Sequence, residues 1–459
     1  MPVQNPTTSI RNVSGLPQLF TFPNGVRLVY EKTKNNIPIT SIHAFCTVGS
    51  IHEPDNLRGV AHMIEHMCFK GTTKIPKSKD LFIEYDKIGA DFNAVTTKTF
   101  TCYLVKCEDN YAGHCIDIVS DMMMNSLFAL SGYKTEHKVV MEENINSEND
   151  QTDIILRESD RLLYNGSAYQ YPVDVLDYHK KSSSLPRNEV FDFYHKQYTP
   201  NNMVISVVSN ISFDKIKRFI MGSQFMKNHI GHDIGHGTVP INSAILPQSE
   251  IQYKIIKKAG ITNTLISIAF RICGNNHIDK PCVELLKMIL SGTMSGRLFM
   301  ILRELNGLTY SSDVFTEYFD HFGGFTVFTQ TDTGTVFKND KKPGVLPILI
   351  SILNDLIKNG VTKEELEIVK GNLKGSTLID MEDNDTQCMY NGTELLSKKN
   401  EPIIPYSKTY DVLYKPVTCE DIHKIIVKYL TPINMSVCLL NDSPPSLSKV
   451  KSEFSKFSV

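Results

Sequence analysis

Val60-Ala61-His62-Met63-Ile64-Glu65-His66-Met67-Cys68-Phe69 is the stretch on which the reading of this chain turns. It contains no proline or glycine, and Gly59 and Gly71 bracket it, which predicts a short helix. Asp55 and Asn56 offer turn or capping chemistry just ahead of it. Positions i and i+4 of a helix lie one above the other, so His62 and His66 point the same way. The residues between them are apolar, so the helix is expected to be buried on most sides. Two histidines and a glutamate are costly there unless they are paired.

A shared metal ion would satisfy all three. The pattern H-x-x-E-H reverses the H-E-x-x-H arrangement of zinc hydrolases. His62 and His66 are the candidate ligands. Glu65 sits one residue before the second histidine, close to the ion but not needed as a ligand. That is the place for a general base acting on an attacking water. The alternative for this motif alone is a pair of core histidines hydrogen-bonded to backbone. Cys68 falls on another face of the helix, away from the metal side.

The rest of the composition is that of an ordinary globular protein. The chain has 459 residues, 41% of them hydrophobic and 21% charged, which predicts two or three domains with sizeable cores. A net charge of −2 gives no electrostatic footprint for nucleic acid or an anionic membrane surface. No apolar run reaches transmembrane length. Residues 1–17 have one arginine and no apolar stretch, so they are expected to be a disordered lead rather than a secretory or transit signal. The ten cysteines lie singly in apolar segments with no C-x-x-C pair, which predicts reduced thiols in a cytosol-like compartment. The expected location is cytoplasmic, with an organelle as the alternative.

Around the motif, local patterns predict alternating strands and helices. Pro23-Asn24-Gly25 between two apolar runs is a hairpin signal, and Thr40 to Val48 alternates as a strand. Helices are expected over Asp80 to Ile88, Tyr111 to Leu127 and Lys134 to Glu148, and a strand pair over Asp91 to Lys106. Met203 to Ser209 reads as a buried strand. From about Met221 to Glu250 periodicity stops, which suggests a linker. His229, His232 and His236 within it are read as solvated histidines. The pattern then restarts: Thr264 to Ile272 as a strand, Lys280 to Leu290 as a helix, Gly323 to Thr329 as a strand, and Met435 to Leu440 as a closing strand. Thr362-Lys363-Glu364-Glu365 is a capping box for a late helix. One α+β unit of roughly 200 residues is therefore expected twice. The second copy lacks H-x-x-E-H, so the metal belongs to the first.

With these features in place, the chain resembles the pitrilysin-type inverted-zincin metallopeptidases, and among them the half-length branch of processing peptidases. The resemblance runs from about Phe22 to Leu440. Pro23-Asn24-Gly25, Val48-Gly49-Ser50, Gly59 to Met67, Phe69-Lys70-Gly71-Thr72 and Tyr198 to Met203 carry it. It implies a third ligand, a glutamate some 70-odd residues after the second histidine; 76 residues lie between His66 and Glu143. Glu142 is the rival, but neighbours on a helix point about 100° apart. A family glutamate seven residues earlier matches Glu136, about two turns from Glu143 on the same face. The resemblance makes Glu136 an outer-shell partner of the metal histidines.

Three further roles follow from the same likeness. Leu302 to Tyr310 resembles the family segment in which an arginine and a tyrosine, here Arg303 and Tyr310, reach the active site from the non-catalytic half. Asn93-Ala94-Val95-Thr96 resembles the edge strand that pairs with substrate backbone. Half-length relatives work as homodimers or with a related partner chain.

The expected fold is thus α+β. Two homologous halves, each a mostly antiparallel sheet flanked by helices, form a clam-like chamber. The expected boundaries are a catalytic domain over 18–222, a linker over 223–250, a second domain over 251–445 and a tail over 446–459. The expected function is a zinc endopeptidase acting on peptides or unfolded segments, with one Zn²⁺ per chain held by His62, His66 and Glu143. Glu65 is the base, with Tyr310 and Arg303 assisting. The competing readings are a non-catalytic partner subunit of the same fold and a structural zinc protein. Structural sites are usually closed by four protein ligands. His114 and His137 are the remaining, distant candidates for a fourth.

Overall fold

The hairpin at Pro23-Asn24-Gly25 forms as expected: β1 (Gln18–Thr21) pairs antiparallel with β2 (Arg27–Lys32). The computed structural model describes residues 15–174, 185–227, 241–398 and 401–457. In the first half β3 (Ile39–Cys46), β4 (Asp91–Thr96), β5 (Thr101–Glu108) and β6 (Met203–Ser209) complete a sheet ordered β1-β2-β6-β3-β5-β4. In the second half β7 (Gln252–Lys257), β8 (Asn263–Cys273), β9 (Thr309–Tyr318), β10 (Phe322–Asp332) and β11 (Met435–Asn441) form a sheet ordered β7-β11-β8-β10-β9.

Apart from β1 the two sheets share one plan. The first strand pairs in parallel with the last, β2 with β6 and β7 with β11. The other neighbours are antiparallel. This is the repeated α+β unit expected from the sequence. Each sheet ends on a free edge strand, β4 in the first and β9 in the second.

Seven α-helices belong to the first half among the described residues: α1 (Val60–Cys68), α2 (Ser78–Asp86), α3 (Ala112–Met124), α4 (Leu130–Asn149), α5 (Gln151–Leu163), α6 (Arg187–Gln197) and α7 (Phe213–Gly222). The second half contributes α8 (Lys280–Lys287), α9 (Val345–Asn359), α10 (Lys363–Asp380), α11 (Asn384–Lys398), α12 (Cys419–Tyr429) and α13 (Leu447–Phe454). The capping box at α10 is present: Glu365 N–H donates to Thr362 Oγ1 at 3.1 Å, and Thr362 N–H to Glu365 Oε2 at 2.7 Å.

Strand alternation sends successive side chains to opposite faces. On β3, Ile42, Ala44 and Cys46 join the main core with Met63 and Met67 of α1. Phe45 faces the other way and packs with Val29, Val204 and, from the second half, Leu395 and Ile403. That second face is covered by α11. The exchange is reciprocal, because α5 of the first half lies on β8 and β11, with Ile154 and Ile155 against Leu265, Cys438 and Leu440. The approach is close enough that a Cβ on Gly392 of α11 would fall 2.1 Å from the Phe45 ring. A Cβ on Gly324 of β10 would fall 2.3 Å from the Tyr164 hydroxyl.

Residues 241–250 of the expected linker dock along this junction. Ala168 N–H donates to the Asn242 carbonyl and Leu246 N–H to the Asn165 carbonyl, both at 2.8 Å. Arg271 Nη1 donates to the Leu246 carbonyl at 2.9 Å. Phe225, at the start of the expected linker, is buried in the first core. His229, His232 and His236 lie outside the described residues, as do residues 1–14 of the expected lead. The expected tail carries α13, whose Val450 and Phe454 enter the second core. Its apolar spacing, Val450 to Phe454, is that of a packed helix rather than a solvated end.

Candidate active site

Helix α1 starts at Gly59, whose φ of 87° is left-handed and suits glycine. Its first turn is capped from an unexpected place. Buried Glu53 accepts hydrogen bonds from Gly59 N–H at 2.8 Å and Ala61 N–H at 2.9 Å. This corrects the expectation for Asp55 and Asn56, which instead meet Arg58 at 2.8 Å and Glu189 at 3.2 Å. A carboxylate at a helix N-terminus is favoured by the helix dipole and by the unpaired N–H groups. Burial pushes the Glu53 carboxyl up to about 7, against the pull of those two N–H groups, Arg58 and His62.

From this anchored helix His62 and His66 project together, and Glu143 reaches them from α4. His62 Nε2 and His66 Nε2 are 3.2 Å apart. Glu143 Oε2 lies 3.7 Å from the first and 3.4 Å from the second. In a tetrahedral site with metal–ligand distances of about 2.0–2.1 Å, neighbouring ligand atoms sit roughly 3.4 Å apart. The three atoms therefore already hold the spacing of a zinc site. Among the described residues they are the group whose donor atoms gather closely enough for a metal ion. His114 stands instead at 3.2 Å from Glu84, and His137 is not in the group.

The protein tunes the two histidines in opposite directions. Burial, with His62 and Lys70 nearby, pushes His66 down to about 4, which favours a neutral ring able to donate a lone pair to a metal. Burial also acts downward on His62, but Asp174, Glu65 and Glu143 together outweigh it and His62 is raised. Asp174 Oδ1 lies 3.2 Å from His62 Nδ1, the ring nitrogen opposite the one that faces Glu143. A carboxylate at this ring nitrogen is the kind of outer partner that sets the tautomer and orientation of a metal-binding histidine. The family resemblance gave that outer role to Glu136. Glu136 is instead buried in an ion pair with Lys70 at 2.5 Å, because α4 turns its side chain toward the residue just after α1. Asp174 carried no sequence signal; it sits in the irregular segment Tyr171-Pro172-Val173-Asp174 and reaches His62 only through tertiary packing.

Glu65 is drawn toward β4. Thr96 Oγ1 donates to Glu65 Oε2 at 2.5 Å. Burial raises the Glu65 carboxyl above its usual range, while Thr96 and His62 pull it back. Asn93, Ala94, Val95 and Thr96 all lie on β4, whose outer edge is unpaired among the described strands. Glu65 and the free-edged strand are therefore adjacent.

Arg303 and Tyr310 are not brought to this cluster. Tyr310 is 84% exposed. The Arg303 guanidinium lies 5.2 Å from the Tyr310 ring and 3.4 Å from its carbonyl. Among the described residues neither makes a hydrogen bond or ion pair to His62, Glu65, His66 or Glu143.

Comparison with known proteins settles the family. Residues 28–172 match the model described as insulinase (peptidase family M16), and residues 184–373 the model described as peptidase M16 inactive domain. The chain belongs to peptidase family M16. A Bacillus subtilis M16 relative named an uncharacterized zinc protease is 28% identical over 88% of this chain and 93% of its own length. The beta subunit of the mitochondrial-processing peptidase of Dictyostelium discoideum is 25% identical over 58% of this chain and 51% of its own. Among solved structures, a protease from Helicobacter pylori superposes with a TM-score of 0.83 at 18% identity, covering 93% of this chain and all of that one. The M16 assignment agrees with the residues: the histidine motif lies in the stretch matched by the insulinase model, and the stretch matched by the inactive-domain model, which holds most of the second half, has none.

Proposed function

We propose that this chain is a zinc-dependent endopeptidase acting on peptides or unfolded segments. The observation that carries the reading is the convergence of His62 Nε2, His66 Nε2 and Glu143 Oε2 at tetrahedral spacing, with Glu65 beside them. One Zn²⁺ per chain, when bound there, supplies Lewis-acid polarisation and lowers the pKa of water to about 7.

The chain's own residues account for the remainder. Asp174 holds the His62 ring. Glu65 takes a proton from the attacking water and delivers it to the leaving amine. Thr96 occupies Oε2 of Glu65 and leaves Oε1 for that exchange. The free edge of β4 accepts an extended peptide as an added strand, so main-chain hydrogen bonds hold the scissile bond beside the base. A folded protein cannot offer such a strand without unfolding locally.

Arg303 and Tyr310 point to a partner. Their exposure supports a role at the site of a second copy or of a related chain, where a tyrosine hydroxyl and a guanidinium can donate to an oxyanion. The ten cysteines are free thiols, in keeping with a reducing compartment. The test is metal analysis combined with cleavage of a mixed peptide library. Zinc near one per chain with hydrolysis supports the reading. Zinc without hydrolysis, with or without a related chain, favours the scaffold alternative.

A further inference from the structure

Lys98 follows β4 by two residues and is buried, although lysine is seldom buried unless paired. Its Nζ lies 2.5 Å from Asp160 Oδ2 and 2.9 Å from Glu317 Oε2. The rings of Tyr164 and Phe319 lie 5.2 and 5.6 Å away. The three charges come from three elements. Lys98 is on the β4–β5 turn, Asp160 on α5, and Glu317 on β9 of the second half. Helix α5 directly follows α4, which carries Glu143.

The turn is fixed on its other side as well. Ser50 N–H donates to the Thr97 carbonyl at 3.2 Å, and Ile51 N–H to the Lys98 carbonyl at 3.0 Å. A Cβ on Gly49 would fall 2.2 Å from the Thr97 carbonyl oxygen, so the two segments are in close contact. A buried ion pair adds little net stability compared with apolar packing, but in some proteins it specifies a register that apolar contacts leave free to slide. Here the register is that of the turn two residues from Thr96, which in turn holds Glu65.

We propose that Lys98 is a positioning residue: its ion pairs to Asp160 and Glu317 lock the β4–β5 turn, and with it the substrate-facing edge strand, onto the second half of the molecule. The proposal rests on the peptidase reading for its consequence but not for its geometry. Without the lock, β4 frays from its free edge, and an added peptide strand loses a fixed template.

The test compares wild type, Lys98→Met and Lys98→Arg, each checked for zinc content and melting temperature. Hydrogen exchange of residues 91–101 is followed by mass spectrometry. Lys98→Met is expected to raise exchange there on the order of tenfold while α1 stays protected, and Lys98→Arg to restore it. In kinetics on an extended peptide that the wild type cleaves, Lys98→Met is expected to raise KM about tenfold and change kcat little, the pattern of lost uniform binding. Unchanged exchange in residues 91–101 overturns the proposal. So does exchange that rises evenly across the molecule with a fallen melting temperature, which is the mark of a merely structural residue. If Lys98→Met does not fold, Glu317→Gln removes one carboxylate at constant size and should give the same local pattern more weakly. If the wild type cleaves no peptide, the peptidase reading fails, and the exchange experiment still decides the lock.

Discussion

Thr96 Oγ1 donates a 2.5 Å hydrogen bond to Glu65 Oε2, tying the proposed base to the strand proposed to hold the substrate. A hydrogen bond to a charged group is worth about 1.5–3 kcal/mol, and 1.36 kcal/mol is about one pKa unit. The bond favours the ionised form of Glu65, and the base must be ionised to work. Thr96→Val should therefore shift the acid limb of the kcat/KM profile to higher pH. A pH–rate profile identical to wild type would show that Thr96 does not act on the base.

Glu65→Gln should keep zinc and lose hydrolysis by a factor of about 10² to 10⁴. The amide keeps the size of the side chain but cannot accept the water's proton. Turnover near wild type in a purified mutant would remove Glu65 from the role.

Metal content after dialysis separates the two neighbouring glutamates. Glu143→Ala should lose zinc, and Glu142→Ala should retain it, because only Glu143 Oε2 faces both histidines. Asp174→Asn should retain the ion but weaken its affinity about 10- to 100-fold, as measured by chelator competition. Equal affinities for wild type and Asp174→Asn would deny Asp174 its orienting role.

Tyr310→Phe should lower kcat by about 10² to 10³ with zinc content and fold unchanged, if its hydroxyl serves an oxyanion. Because Tyr310 stands apart from its own chain's cluster, mixing Tyr310→Phe with Glu65→Gln protein should recover activity that neither has alone. Mixtures that stay inactive would argue against a shared site.

Asp385 on α11 gives a pH test of the junction between the halves. Burial acts upward on its carboxyl. His43, whose Nε2 lies 3.3 Å from Asp385 Oδ1, and the Lys106 ammonium, 3.2 Å from Oδ2, outweigh it and bring it to about 2. Unfolded aspartate titrates near 3.9. A depressed carboxyl stabilises the fold above its unfolded pKa, and that contribution is lost as pH falls toward 2. Asp385→Asn should therefore cost about 2 kcal/mol near neutral pH and progressively less between roughly pH 4 and 2, in urea titrations. A penalty that does not change with pH would mean that packing, not charge, is what the mutation removes.

The histidine motif was legible because helical phase alone places His62, Glu65 and His66. The duplication was legible because apolar strands recur in the same order. Glu143 needed the family spacing, since nothing local separates it from Glu142. Strands β7 and β9 were missed for a physical reason. Gln252-Tyr253-Lys254-Ile255-Ile256-Lys257 and Thr309-Tyr310-Ser311-Ser312-Asp313 carry polar residues where a buried strand shows an apolar run. Both lie at sheet edges, where one side is solvated. The contacts of Glu53, Asp174 and Lys98 join segments far apart or irregular in sequence, so no periodicity announces them.

Covering each sheet with a helix from the opposite half has a consequence for inheritance. A half excised on its own would expose Phe45 and Val204, or Leu265 and Leu440, to water. The repeated units are thus not interchangeable modules, although they share a strand plan. A chimera that exchanges one half with that of a relative must carry over the matching face for α5 or α11, including the glycine that lets the helix come close. Sequence drift in one half is therefore constrained by the other, and the two repeats can diverge in chemistry, one keeping a metal motif and the other none, only while they continue to fit as one piece.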